Sequence, residues 1–298
     1  MIIDMHAHCS PAPGWLSYDL IRKEHMRWIT VRGLVSRMKK EGIGRAVLLP
    51  IGSPESSIEP VTTREVIAMC RSHPRMLIPF CNPDPRVNGG SKRDLDFILE
   101  QYKELGCRGV GEVTANIPFD DQRSMNLFRK CEELQFPLLF HIGPQEGGCY
   151  GLVDDFHLPR LEKCLSSFPD LAFIGHSQPF WSEISGDLKP EERNGYPTGK
   201  VAPGGRIPEL LRNHENLYAD LSAGSGYNAI SRDQEFGIGF LEEFQDRLMF
   251  GTDLDFPGQE IPQLKYIKQL RDDRRISKKT YDKIMQKNAS KVLRAGSH

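Results

Sequence analysis

No stretch of 18 consecutive apolar residues occurs in the sequence, which excludes a membrane-spanning helix by length alone. A charged segment followed by an apolar one is missing near the N-terminus, where the chain runs straight into a strand pattern, so no secretory leader is expected. Neither sign of charge is in excess: 39 Lys and Arg face 40 Asp and Glu, for a formal net charge of −1. Nucleic acid or an anionic membrane surface would call for a basic footprint, so neither is expected as a partner. The seven cysteines are odd in number and never form C-x-x-C. Most sit inside apolar runs, the pattern of reduced, buried thiols in a cytoplasmic protein rather than of a disulfide framework. Cys9 follows His8 directly; as a strand neighbour it would face the opposite side, as a small buried hydrophobe.

What is present is a repeated strand-then-helix pattern in 298 residues, of which 39% are hydrophobic and 27% charged, enough to bury a full core. Short, continuously apolar runs closed by polar or glycine-containing turns fall at residues 2–8, 45–50, 76–81, 109–114, 137–141, 172–176, 217–222 and 248–253, as buried parallel strands do. Apolar residues at helical spacing predict helices over 32–41, 62–72, 92–105, 122–134, 158–168, 207–212 and 234–244, and two further amphipathic stretches, 261–271 and 278–293, finish the chain. Gly42 and Gly106 supply C-terminal stops. Eight such units predict an α/β fold, a closed (β/α)8 TIM barrel occupying residues 1–298 as one domain with long βα loops and C-terminal helices.

In a barrel of this kind the chemistry gathers at the C-terminal ends of the strands. His6 and His8 close the first run, I-I-D-M-H-A-H, and strand alternation points both to one side, where they can grip a single ion. Glu112 ends the fourth run, His141 the fifth, His176 the sixth and Asp253 the eighth. Four of the nine histidines therefore stand at strand ends. Imidazole and carboxylate together suit Zn²⁺ and its first-row neighbours. Asp4 has the parity of His6 and His8 one layer deeper, where it either orients a ligand or makes a hydrogen bond of the barrel core.

The segments I-D-M-H-A-H, L-L-F-H-I-G around His141, F-I-G-H-S around His176 and M-F-G-T-D-L around Asp253 resemble the amidohydrolase superfamily of metal-dependent barrels over nearly the whole chain. The pattern is most similar to the amidohydrolase-related branch containing aminocarboxymuconate-semialdehyde decarboxylase, pyrone-dicarboxylate lactonase and benzoate-type decarboxylases. G-V-G-E-V, followed by Gln122 and Phe128, also resembles the TatD-type deoxyribonucleases, in which the matching glutamate bridges metals. The resemblance implies His6, His8, His141 and Asp253 as ligands of a first metal. It makes His176 a ligand of a second metal or a substrate contact, and Glu112 a further candidate ligand. The expected cofactor is Zn²⁺, one or two ions, with Mn²⁺ or Fe²⁺ as alternatives.

Such an ion lowers the pKa of bound water to roughly 7. Asp253 is placed to accept a proton and hand it to a leaving group, and His176 to polarise a scissile carbonyl. Three long loops, residues 9–30 with Trp15, Tyr18 and Trp28, 143–157, and 177–206 with Phe180 and Trp181, are expected to roof the site. Trp181, Tyr227 and Asn228 are candidate substrate contacts, and Arg206 and Arg232 candidate clamps for a substrate carboxylate, which guanidinium matches bidentately. The expectation is a metal-dependent hydrolase acting on an amide, lactone or ester bond of a small carboxylated molecule. Metal-dependent non-oxidative decarboxylation, a lyase reaction, is the alternative on the same scaffold. A TatD-like nuclease lacks its basic groove, and a non-catalytic metal-binding module leaves the filled catalytic positions without a purpose. A homodimer is expected only because such assemblies are common.

Overall fold

The computed structural model describes residues 1–14, 16–19, 24–57 and 59–295. Eight strands appear where the apolar runs stand, some of them shorter: β1 (Ile2–Ala7), β2 (Ile43–Leu48), β3 (Leu77–Pro79), β4 (Val110–Val113), β5 (Leu138–Gly143), β6 (Phe173–His176), β7 (Leu217–Asp220) and β8 (Leu248–Met249). β1, β2 and β3 pair in parallel as one group, and β4 through β8 as another. Two seams join the groups into a ring. Between β3 and β4, Cys81 bridges to Val110, its N–H donating to Gly109 O at 2.9 Å while Gly111 N donates to Cys81 O at 2.9 Å. Between β8 and β1, Met5 N donates to Phe250 O at 2.9 Å, Asp253 N to His6 O at 2.8 Å, and Ala7 bridges to Leu254. The (β/α)8 barrel read from the sequence is the fold observed.

Alternation along the strands fills the barrel with side chains such as Met5, Leu49, Phe80, Leu139, Ile174 and Tyr218. The last helix, Asn288–Ala295, adds Ala289, Val292 and Leu293 to this cluster and plugs one end. The opposite strand faces pack against a jacket of helices, whose ends follow local chemistry. Thr30 caps α1 (Val31–Glu41) by accepting from Gly33 N, and Gly42 stops it at φ 77°. Thr62 and Glu65 form a capping box at α2 (Thr63–Ser72).

β1 departs from simple alternation. Ile3 and Met5 belong to the interior cluster and Ala7 to the outer one, and the register against β2 is irregular between Asp4 and Ala7. The strand changes face before His6, so Asp4 does not share the histidines' side as its parity suggested. Its carboxylate instead accepts from the backbone N–H of His6 (3.0 Å) and from Thr252 N and Oγ1 (2.9 and 2.7 Å), tying the β1 and β8 ends together.

The long loops hold more structure than expected. Residues 9–30 contain an antiparallel hairpin, Leu16–Asp19 against Glu24–Arg27; Trp15 and the side chain of Tyr18 lie outside the described residues. A short helix, Gln178–Ser182, starts the 177–206 segment, and another, Ala223–Ser231, precedes the expected Gln234–Glu243. The 143–157 and 177–206 segments are locked together by Arg193, whose Nη1 donates to Asp154 O (2.8 Å) and whose Nε pairs with buried Glu183 at 2.9 Å. All seven cysteines are free thiols and six are buried, Cys9 among them beside Met69. No helix among the described residues is long and apolar enough to cross a membrane.

Candidate metal centre

At the C-terminal ends of the strands six side chains meet: His6 and His8 from β1 and just past it, Glu112 from β4, His141 from β5, His176 from β6 and Asp253 just beyond β8. Parallel register delivers them at one level, with His141 directly opposite His176. Asp253 sits at φ 55°, in the left-handed region that a non-glycine residue adopts only when its surroundings hold it there. Here its N–H is bound by His6 O and its carbonyl by Gln259 Nε2 at 2.7 Å.

The ligand atoms lie on two sides of Glu112. On one side, His6 Nε2 lies 3.1 Å from His8 Nε2, 3.2 Å from Asp253 Oδ1 and 3.7 Å from Glu112 Oε2. His8 Nε2 lies 3.5 Å from Asp253 Oδ1 and 3.6 Å from Glu112 Oε2. Ligands about 2.0–2.2 Å from a tetrahedral zinc are separated by about 3.3–3.6 Å, so this donor set fits such an ion. On the other side, Glu112 Oε1 accepts from His141 Nδ1 at 2.8 Å and lies 3.8 Å from His176 Nε2. Glu112, His141 and His176 thus form a second possible donor group beside His6, His8 and Glu112, and His6, His176 and Asp253 form a third that spans the two sides. His141, which the family resemblance joined to His6 and His8, stands in this second group.

The ring nitrogens facing away from the cavity are committed. His8 Nδ1 donates to Leu49 O at 3.1 Å and His6 Nδ1 to Asp220 Oδ2 at 2.7 Å. With Nδ1 held by these acceptors, Nε2 is the ring nitrogen left to face a metal. Burial disfavours charge on His6, but Asp253, Asp220 and Glu112 around it outweigh that and hold its pKa well above the ordinary value. Burial would raise Glu112, yet His141, His6 and His8 keep it well below the usual carboxylate range. Asp220, fully buried, is likewise held low by His176 and His6 against the pull of desolvation. Burial lowers His141. The cluster is therefore a balanced set of buried charges, costly unless paired with one another or with a cation.

The cavity above these groups is about 250 Å³, the scale of a small organic molecule. Its lining includes Trp28, Tyr150, Tyr196 and Phe256, with Gln178 Nε2 donating to Tyr196 Oη at 3.1 Å. Gly151, at φ 108°, lets the 143–157 segment press against the site: a Cβ there would lie 2.9 Å from the His141 ring. Among the described residues lining the cavity there is no Lys or Arg.

None of the five residues expected to hold substrate lines this cavity. Arg206 donates to His157 O and pairs with Glu162 (2.6 Å) and Glu209 (3.0 Å). Arg232 sits half-buried at the end of helix Ala223–Ser231, where burial lowers its pKa. Trp181 is buried beneath the site, its Nε1 donating to Asp220 O at 3.0 Å. Tyr227 packs on Tyr266, and Asn228 donates to Pro197 O at 3.2 Å. Both stand on the helix Ala223–Ser231, half-buried and away from the cavity lining. Asp220 and Ser222, both next to the histidines, lie inside the apolar run 217–222 and were missed.

The family model described as amidohydrolase matches residues 3–295. No curated protein matches the chain. Among solved structures, an uncharacterized TIM-barrel protein, Bb4693, from Bordetella bronchiseptica shares 17% identity at a TM-score of 0.69, with 100% of this chain and 99% of that one covered. A probable 2-pyrone-4,6-dicarboxylic acid hydrolase from Acinetobacter baumannii shares 14% identity at a TM-score of 0.60, with 98% of each chain covered. The 5-carboxyvanillate decarboxylase LigW from Sphingomonas paucimobilis shares 13% identity at a TM-score of 0.58, again with 98% of each chain covered. At these identities the likeness speaks for the fold.

Proposed function

The chain belongs to the amidohydrolase family, a family of metal-dependent enzymes, and from that premise we propose that it is a metal-dependent hydrolase acting on an amide, lactone or ester bond of a small organic molecule. The observation that carries the reading is the position of Glu112, one carboxylate oxygen facing His6 and His8 and the other facing His141 and His176. His6, His8, Glu112 and Asp253 would hold one divalent ion, and His141 and His176 with Glu112 a second. The imidazole-rich donors favour zinc. Bound there, the ion supplies Lewis acidity and an activated water at neutral pH.

The chain's own groups then divide the remaining work. Asp253, with a partly exposed side chain at the cavity floor, takes up a proton from the attacking water and returns it to the leaving group. His176, its Nε2 facing the cavity 3.8 Å from Glu112 Oε1, would lend a lone pair to the second ion. The aromatic lining offers apolar surface to a small organic substrate.

Decarboxylation remains a second reading because the described lining offers no cation to a substrate carboxylate, which would then have to bind where the metal binds. The test begins with metal content of the purified protein after reconstitution with zinc or manganese, followed by a panel of lactones, esters, amides and hydroxylated aromatic acids. Acid release detected by a pH indicator supports hydrolysis; CO₂ release supports the second reading. A protein that binds neither metal would refute both.

A further inference from the structure

We infer that Asp220 and Ser222 form one shared positioning element that fixes the ring orientation of two histidines, His6 and His176, one on each side of Glu112. The inference rests on the metal-centre reading above and extends it to residues outside the ligand set.

Asp220 is fully buried at the end of β7. Its Oδ2 accepts from His6 Nδ1 at 2.7 Å and from Ser222 Oγ at 2.6 Å, and its Oδ1 accepts from Ser222 N at 3.1 Å. The carboxylate is packed tightly enough that a Cβ on Gly251 would lie 2.1 Å from Oδ1. Ser222 Oγ lies 2.9 Å from His176 Nδ1. A hydroxyl has one proton to give. Asp220, an acceptor only, takes it, so Ser222 must accept from His176, and the His176 proton is placed on Nδ1. Nε2 of His176 is then left as a lone pair facing the cavity, 3.8 Å from Glu112 Oε1 and 3.9 Å from Asp253 Oδ2. Asp220 Oδ2 also lies 3.4 Å from His176 Nδ1, and Ser222 Oγ 3.3 Å from His6 Nδ1, so directly and through Ser222 a single carboxylate sets the tautomer of both rings.

Ser222 also occupies the N-cap position of helix Ala223–Ser231, where a serine ordinarily accepts from the first turn of the helix. It makes no such bond. Its hydroxyl is turned to the histidine and the carboxylate instead, so removing it takes no cap from the helix.

The test uses the full chain with ¹⁵N-labelled histidine. In metal-free wild type, His176 is expected as the Nδ1–H tautomer in long-range ¹H–¹⁵N spectra; Ser222→Ala should give a mixture or the other tautomer, and Ser222→Thr should restore the first. In competition with a chromophoric chelator, Ser222→Ala should weaken zinc binding about 10–100-fold, the range for losing such an outer partner, in the class of sites that includes His176. The class held by His6 and His8 should stay within about threefold, whereas Asp220→Asn should weaken both. If Ser222→Ala leaves the His176 tautomer and both zinc affinities unchanged, the inference is overturned. Wild type that binds no zinc defeats the metal-centre reading instead, and the tautomer comparison then decides the positioning role alone.

Discussion

Replacing Glu112 by glutamine tests the centre at its narrowest point. The substitution preserves shape and removes one negative charge from a site where Oε2 is 3.7 and 3.6 Å from the His6 and His8 nitrogens and Oε1 accepts from His141 at 2.8 Å. The side chain is buried, so water cannot replace the lost charge. Removing one partner from a buried, charge-paired arrangement costs about 3–5 kcal/mol, which corresponds to about 150- to 5,000-fold in Kd. Because the carboxylate faces both donor groups, the loss should appear in both classes of site, and the group formed by His141 and His176, left with two protein donors, should lose its ion altogether. Isothermal titration with zinc, alongside metal analysis of the dialysed protein, reads this directly. A variant that keeps the wild-type stoichiometry with affinities within threefold would show that Glu112 does not face the ions, and the bridging argument would fall.

Other expectations follow from the packing. Burial, only partly offset by Arg193, raises the Glu183 carboxyl to about 7; the folded state therefore keeps a proton that the unfolded chain releases near pH 4.5. Stability from this group is full below pH 4.5 and declines as pH rises towards 7, by about 2–3 kcal/mol. Urea unfolding of Glu183→Gln should show a shallower decline over that interval than wild type, and parallel curves would reject the assignment. Gly175→Ala would put a Cβ 2.3 Å from the buried Phe180 ring; overpacking of this kind costs about 1–3 kcal/mol, and an unchanged urea midpoint would contradict the close approach. A thiol reagent should label Cys149 rapidly in the native protein and leave the six buried cysteines, including Cys9 with its pKa pushed by burial to about 12, until denaturant is added. Fast labelling of two or more thiols would argue against that burial.

The parts of this molecule legible in its sequence were those governed by short-range rules. Strands sheathed on both faces must be apolar throughout, and a polar residue at the end of such a run, such as His141 or His176, stands out because nothing local explains it. Asp220 was passed over because its run continues in sequence through Leu221. The face change in β1 was hidden, since alternation alone put Asp4 beside His6 and only the register against β2 exposes the irregularity. The candidate arginines failed for a different reason. Arg206 finds Glu162, far away in sequence, and an arginine's partner among many surface carboxylates is set by tertiary placement. The cavity wall, built from Tyr150, Gln178 and Tyr196, depends on how two long segments fold back, which no local period records.

The seam between β1 and β8 fixes when the centre can exist. His6 and His8 are synthesised long before Asp253, and their strand is secured on that side only when Met5 and His6 meet the backbone of Phe250 and Asp253. Contacts between such distant parts of a chain form late, because the intervening segment must be ordered first. A nascent chain thus offers an ion two imidazoles and little else, and a full donor set arises only on closure. On the proposed metal centre, ring closure comes before an ion can be held, so a chain truncated before β8 should fold poorly and retain no metal through dialysis.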